Sequence, residues 1–135
     1  MKRRIAREKA LQAIFQIDLS QTATADALEH VLQGEPTDPY LQKLVTGVVE
    51  HLEEIDEMIK KHLENWTLER LANVDRNILR LCVYELLYAQ EDVPVNVAID
   101  EAIEIAKVYS DEQSSKFING VLSKVKGTLQ ESSHE

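Results

Sequence analysis

The longest regular pattern in the sequence lies between residues 39 and 63, where apolar residues recur every three or four positions. This spacing places them on one side of an α-helix, since a helix has about 3.6 residues per turn. Such a stripe usually faces a hydrophobic core rather than a cofactor. The Asp38-Pro39 pair is typical of a helix start, with Asp38 as the N-cap. The pattern is long for one helix, so we predict a break near Gly47 or His51.

Five further segments show the same helical periodicity. They cover about residues 3–19, 24–33, 75–88, 96–109 and 114–129. Thr24 and Asn96 are candidate N-caps, and Gly34 is a candidate stop for the second segment. No segment alternates apolar and polar residues as a half-buried strand does. The sequence therefore predicts an all-α fold, a compact bundle of about seven helices in a single domain over residues 1–130, followed by a polar tail at 131–135.

Positive charge is concentrated at the N-terminus. The chain of 135 residues carries a formal net charge of −9, which by itself argues against nucleic acid as a partner. Residues 1–9, however, contain five basic residues and one glutamate, so they carry +4 while residues 10–135 carry −13. Lys2, Arg3 and Arg4 lie at or before a predicted helix start, where the helix dipole disfavours each cation by roughly 0.3–1 kcal/mol. This pattern indicates an anionic partner, and a solvated basic tail is the alternative.

No motif for catalysis or metal binding is evident. The four histidines lack the His-x-x-x-His spacing of a zinc-protease helix, and no Gly-x-Ser-x-Gly nucleophile motif is present. The acidic residues 53–57 point in different directions on a helix, which is typical of a solvated face. We therefore expect no enzymatic activity, no metal and no cofactor.

Cysteine usage and hydropathy favour a reducing compartment. Cys82 is the only cysteine, so no internal disulfide can form, and its apolar neighbours indicate a buried thiol. No run of about 18 apolar residues occurs, and no apolar signal-peptide segment follows the basic N-terminus. We expect a cytoplasmic protein with no membrane partner.

Two clusters have the chemistry to contact RNA. On a helical wheel Phe15 lies within about 20° of Arg4, at the edge of the apolar face of the first helix. Aromatic rings beside guanidinium groups can stack on unpaired bases, although core packing explains the position of Phe15 equally well. Residues 114–120 (SSKFING) place a cation, Lys116, and a ring, Phe117, on the first turns of the last helix. Here too the alternative is packing, with Phe117 heading an apolar face.

Several short motifs extend over nearly the whole chain. They are residues 6–13 (AREKALQA), 75–81 (DRNILRL), 84–86 (YEL), 93–94 (VP), 98–102 (AIDEA), 105–107 (IAK) and 115–122 (SKFINGVL). In this order they resemble the motifs of the NusB family of bacterial transcription antitermination factors. No such motif lies in residues 21–64, where the predicted helices depend on the hydrophobic pattern alone. The resemblance implies an all-α fold of two small helical subdomains, at about residues 1–64 and 65–130.

The resemblance also implies a function. Members of the NusB family bind the boxA element of nascent ribosomal RNA transcripts, usually as a heterodimer with the ribosomal protein NusE, and the complex helps RNA polymerase to resist termination. We therefore expect boxA RNA, NusE and the antitermination complex of RNA polymerase as partners. Some similar members form homodimers that cover the RNA surface, so a homodimer is a further expectation.

Particular residues match family positions near the RNA. The arginine-rich start implies phosphate contacts by Arg3, Arg4 and Arg7. Phe15 matches a family aromatic residue near the RNA. The middle and last motifs add further RNA-facing residues, which are Asp75, Arg76, Arg80, Lys116 and Phe117.

The chain departs from the family pattern at three positions. Phe15 stands where tyrosine is common, which removes a hydroxyl and leaves stacking as the expected role. Gln113 stands where aspartate often occurs, so repulsion of a phosphate there should be weaker. Asp100 stands where asparagine is usual, so an amide contact at that position is not expected.

Two other functions are compatible with parts of the sequence. Some ribosomal-RNA cytosine methyltransferases resemble the family through a helical N-terminal domain, but they continue into a Rossmann-like catalytic domain that 135 residues do not accommodate. A helical adaptor that binds proteins through its acidic surface, without RNA affinity of its own, is the alternative. The RNA affinity of the isolated protein separates this adaptor from an RNA-binding factor.

Overall fold

The computed structural model describes residues 1–133, with side chains through Glu131, and within them the chain forms seven α-helices and one short 3-10 helix. The α-helices are α1 (Arg3–Ser20), α2 (Thr24–Leu32), α3 (Pro39–Glu50), α4 (Leu52–Lys60), α5 (Asn73–Tyr88), α6 (Val95–Tyr109) and α7 (Glu112–Ser133), and the 3-10 helix (Leu68–Arg70) precedes α5. These residues contain no β-strand, so the all-α prediction is confirmed. Helix α7 includes the first three residues of the predicted polar tail, and residues 134–135 lie outside the described part.

Local sequence explains how α3 begins and ends. The Asp38 carboxylate accepts hydrogen bonds from the backbone N–H groups of Tyr40 and Leu41 at 2.9 and 3.1 Å. Pro39 occupies the first turn, where its missing N–H group leaves no hydrogen bond unmade. The helix breaks at His51, whose backbone is not helical, and this residue separates α3 from α4. Both the predicted cap and one of the two predicted break points are confirmed.

Two predicted N-caps are wrong. Helix α2 begins at Thr24 itself, because the extended Ala23 occupies the N-cap position. Helix α6 begins directly after Pro94, whose extended backbone takes the N-cap position there. The Asn96 side chain consequently lies within the first turn, where its oxygen accepts a hydrogen bond from Lys126 at 2.7 Å.

Helix α5 lies at the centre of the bundle. It packs against α1, α3, α4, α6 and α7, and all its residues from 77 to 86 are buried. A helix that is buried on every side is one that other helices surround. Helix α3 approaches α5 so closely at Gly47 that an added Cβ would lie 2.3 Å from the ring of Tyr84. Only glycine fits there without displacing that ring.

One hydrophobic core extends through all seven helices. Because α1 packs against α5 as well as α2 and α3, the first three helices share this core with the others. Cys82 is buried in it, as predicted, and burial raises the pKa of its thiol. The subdomain boundary near residue 64 stays a prediction. None of the described helices is long and apolar enough to cross a lipid bilayer.

Candidate nucleic-acid interface

Arg7 belongs to a buried polar cluster. Its guanidinium donates two parallel hydrogen bonds to the Glu85 carboxylate, both 2.9 Å long, and the two side chains are only 4% and 1% exposed. The Tyr40 hydroxyl donates a further hydrogen bond to Glu85 at 2.5 Å, and burial together with this carboxylate raises the pKa of Tyr40. Arg7 therefore presents almost no surface to a phosphate, and the phosphate contact predicted for it does not fit this geometry.

Arg76 and Arg80 connect α5 to neighbouring helices. Arg80 donates hydrogen bonds to Asp56 of α4 at 2.8 and 2.9 Å, and Arg76 donates to Asp18 of α1 at 2.7 and 3.1 Å. Burial favours the protonated form of Asp18, but hydrogen bonds from Arg76 and Asn77 outweigh it and lower the pKa of this carboxyl. Both predicted RNA-facing arginines are thus engaged within the protein.

Asp75 is also engaged internally. Its side chain is 8% exposed and accepts a hydrogen bond from the hydroxyl of Ser110 at 2.8 Å. Ser110 lies between α6 and α7, so this bond connects the start of α5 to the junction of the last two helices. Asp75 therefore helps to fix the start of α5 relative to α6 and α7 and is not itself a free surface group.

Arg3 and Arg4 remain at the surface. The Arg3 guanidinium lies 4.1 Å from the centre of the Tyr40 ring and donates to the backbone carbonyl of Asp92 at 3.3 Å. Arg4 pairs with Glu101, and their hydrogen bond raises the pKa of Arg4 and lowers that of Glu101. Exposed ion pairs contribute only about 0–1 kcal/mol, so a phosphate can displace these partners at little cost.

Phe15 lies beside a shallow cavity between α1, the start of α5 and the end of α6. The cavity has a volume of about 380 Å³ and is lined by Leu11, Gln12, Phe15, Gln16, Val74 and Tyr109. The Phe15 ring is half-buried, and the exposed Tyr109 donates a hydrogen bond to Glu8 at 3.2 Å. Part of the Phe15 ring is therefore open to solvent, in keeping with its predicted place at the edge of the apolar face.

A second cavity of about 500 Å³ lies between the α4–α5 connection and the starts of α5 and α7. It is lined by Trp66, Arg70, Leu71, Ala72, Asp75, Asp111, Gln113, Ser114 and Phe117. Phe117 is half-buried and packs against the core, and the neighbouring Lys116 is exposed. The last sequence cluster thus contributes the Phe117 ring to this cavity and an exposed cation at the neighbouring position of α7.

The two cavities open near each other, at the start of α5 and around the end of α6. Val74 lines the first and Asp75 the second, and likewise Tyr109 lines the first and Asp111 the second. We call the surface formed by both cavities the aromatic face, after its four rings: Phe15, Trp66, Tyr109 and Phe117. The structure therefore brings the two phenylalanines singled out from the sequence to one side of the molecule.

Sequence reasoning missed three residues of this face. Trp66 and Arg70 lie in the connection between α4 and α5, where no hydrophobic periodicity indicates an environment. Tyr109 is the last residue of α6, beyond the regular apolar positions of that helix. One signal could have indicated Trp66. It is a single tryptophan in a polar segment, where no apolar helix face accounts for so large a ring.

Among residues 1–133 no group of three or more His, Cys, Asp or Glu side chains is placed to hold a metal ion. In the same part of the chain every buried side-chain nitrogen or oxygen has a hydrogen-bond partner. Each buried charged group among these residues therefore has a hydrogen-bond partner within the protein.

Comparison with known proteins identifies relatives over nearly the whole chain. Residues 4–126 match the model of the NusB family. The transcription antitermination protein NusB of Bacillus subtilis (strain 168) is 59% identical over 132 residues, which cover 98% of this chain and 100% of that protein. The NusB of Geobacillus kaustophilus (strain HTA426) is also 59% identical over 130 residues, which cover 96% and 99% of the two chains.

Solved structures match the backbone as well. A crystal structure of the antitermination factors NusB and NusE in complex with double-stranded RNA contains a chain that is 33% identical, with a TM-score of 0.84 and coverage of 93% of this chain and 96% of that chain. The NusB of T. maritima is 42% identical, with a TM-score of 0.83 and coverage of 93% and 90%. In sequence and in backbone, this chain belongs to the NusB family.

Proposed function

We propose that this chain is a transcription antitermination factor that binds the boxA element of nascent ribosomal RNA transcripts together with the ribosomal protein NusE. The observation that carries the proposal is the 59% identity to the antitermination protein NusB of Bacillus subtilis over the whole of that protein. The crystal structure of NusB and NusE with double-stranded RNA supports both partners. The factor acts without catalysis, in the cytoplasm, within the antitermination complex of RNA polymerase.

The aromatic face is the RNA surface in this proposal. Phe15 and Phe117 offer half-buried rings to unpaired bases, and Lys116 adds an exposed positive charge beside them. Arg3 and Arg4 extend the positive charge along α1. Four members of the predicted site are engaged within the protein and act indirectly, by holding the helices that carry this face: Arg7, Asp75, Arg76 and Arg80.

The charge of the chain supports a protein partner. Residues 10–135 carry a net charge of −13, which repels the RNA backbone. A basic ribosomal protein bound to this acidic body lowers the repulsion and leaves the aromatic face open, so the two partners should bind together. A homodimer that covered the aromatic face would instead compete with RNA.

Titration of a fluorescently labelled boxA RNA tests the proposal. The chain is titrated alone and after mixing with NusE from the same organism, and a scrambled RNA of equal length serves as the control. We expect tighter binding of boxA RNA in the presence of NusE. Displacement of the RNA by NusE would contradict simultaneous binding. Binding of NusE without any RNA affinity in either sample would favour the protein adaptor instead.

A further inference from the structure

We propose that the cavity lined by Trp66, Arg70 and Phe117 is a pocket for one unpaired nucleobase of the RNA, with Trp66 as its stacking platform. The inference rests on the proposed function and extends the base contact at Phe117 into a pocket that Trp66 and Arg70 share. It assigns an RNA contact to the α4–α5 connection, a segment outside every motif that carries the family resemblance.

The size and the aromatic lining of the cavity suit a small planar ligand. Its volume of about 500 Å³ falls within the range of roughly 300–1,000 Å³ that is typical of ligand pockets. Two aromatic rings line it, one on the α4–α5 connection and one on α7. Phe117 packs against the core and is fixed in place, whereas Trp66 is 55% exposed. An exposed indole keeps a large π face available for a base.

One cation of the cavity is available to a nucleotide phosphate. The Arg70 side chain is exposed and makes no hydrogen bond or ion pair with another described residue, so its guanidinium is free for a phosphate. The two acidic groups of the cavity each accept a hydrogen bond within the protein. Asp75 accepts from Ser110, and Asp111 accepts a 2.7 Å hydrogen bond from a backbone N–H group in the first turn of α7. Gln113 supplies an amide that can both donate to and accept from a base edge.

The position of the cavity identifies RNA as the occupant. Val74 lines the Phe15 cavity and the next residue, Asp75, lines this one, so both cavities open near the start of α5, within reach of one RNA strand. Lys116, which precedes Phe117 on α7, is exposed and adds positive charge near this cavity. Rings that alternate with cations along a groove are the usual means of holding single-stranded RNA.

Intrinsic fluorescence gives a direct test, because Trp66 is the only tryptophan in the chain. Titration of unlabelled boxA RNA into the full-length protein should quench Trp66 emission, with the same midpoint as fluorescence anisotropy of the labelled RNA. Trp66→Ala should weaken binding by roughly 5- to 100-fold, and Trp66→Phe by much less, because a ring is retained. Tyr88→Ala is the matched control, since Tyr88 is a 37% exposed ring at the opposite end of α5.

An abasic scan of the RNA identifies the stacked base without relying on variant stability. If Trp66 stacks on one base, an abasic nucleotide at that position weakens binding to the wild-type chain, and Trp66→Ala adds little further loss. Arg70→Ala should reduce the slope of log affinity against log salt by about 0.7, and Arg70→Lys should restore it.

The outcomes separate this inference from the proposed function. RNA binding by the wild-type chain with unchanged Trp66 emission and no abasic position coupled to Trp66 would overturn the pocket and leave the function standing. Absence of RNA binding by the wild-type chain, with and without NusE, would overturn both. Thermal melts of each variant establish that any loss of affinity occurs in folded protein.

Discussion

Replacement of Arg7 should damage the fold rather than the RNA surface. The Arg7 side chain is 4% exposed and forms two 2.9 Å hydrogen bonds with Glu85. In Arg7→Met the Glu85 carboxylate stays buried, with the Tyr40 hydroxyl as its remaining side-chain donor. Removal of one partner of a buried ion pair costs about 3–5 kcal/mol. Because the Tyr40 bond persists, we expect a loss of about 3 kcal/mol in the free energy of unfolding, or roughly 10 °C in Tm.

Urea unfolding followed by circular dichroism measures this loss. Arg3→Ala is the matched control on the same helix, since Arg3 is exposed and its removal should change the free energy of unfolding by less than about 0.5 kcal/mol. A triple variant with Arg7→Met, Glu85→Met and Tyr40→Phe removes every polar group of the cluster. It should recover most of the stability, because apolar replacement of a whole buried ion pair is often neutral or stabilising. Wild-type stability of Arg7→Met, with a salt slope of RNA binding reduced by about 0.7, would refute the reasoning.

Three further changes probe the surface and the interior. Phe15→Ala should weaken RNA binding by about 1–3 kcal/mol in titrations, and a loss of about 3–5 kcal/mol in unfolding free energy without loss of RNA affinity would place the ring in the core instead. Arg3→Ala combined with Arg4→Ala should flatten the salt dependence of RNA affinity by about 1.4, and an unchanged slope would mean that neither residue contacts a phosphate. The folded protein holds the pKa of Asp18 below its ordinary value of 3.8, so the stability it contributes is present above about pH 4 and is lost as the pH falls through the folded pKa. Urea unfolding between about pH 2 and pH 5 should therefore show a flatter pH dependence for Asp18→Asn, and an unaltered curve would count against the ion pairs of Asp18.

The helices were predictable because their signals are local. Apolar spacing indicates a buried face within one segment, and Asp38 caps α3 with hydrogen bonds to residues two and three positions away. Thr24 and Asn96 have the right chemistry for caps, but Ala23 and Pro94 already hold the extended conformation that precedes a helix. A capping side chain contributes only about 1 kcal/mol, so the surrounding packing decides which residue takes that position.

The fate of each arginine was not predictable, because its partner is distant in the sequence. Arg7 pairs with a glutamate 78 positions away, and Arg80 with an aspartate 24 positions away. A helical wheel shows that an arginine lies near the edge of an apolar face, but not whether a carboxylate from another helix meets it there. The same limit applies to Trp66, whose cavity is completed by residues of α7.

The internal ion pairs change how this acidic chain can hold RNA. Arg7, Arg76 and Arg80 are paired with carboxylates inside the protein, so these three positive charges are largely unavailable to phosphates. The −13 charge of residues 10–135 then disfavours the RNA backbone. Base stacking is contact between π faces and does not depend on the net charge of the protein. Rings such as Phe15 and Phe117 can therefore contribute RNA affinity even though the net charge of the chain opposes it. A basic partner bound to the acidic body should lower the remaining repulsion, so we expect the chain to bind RNA more tightly with that partner than alone.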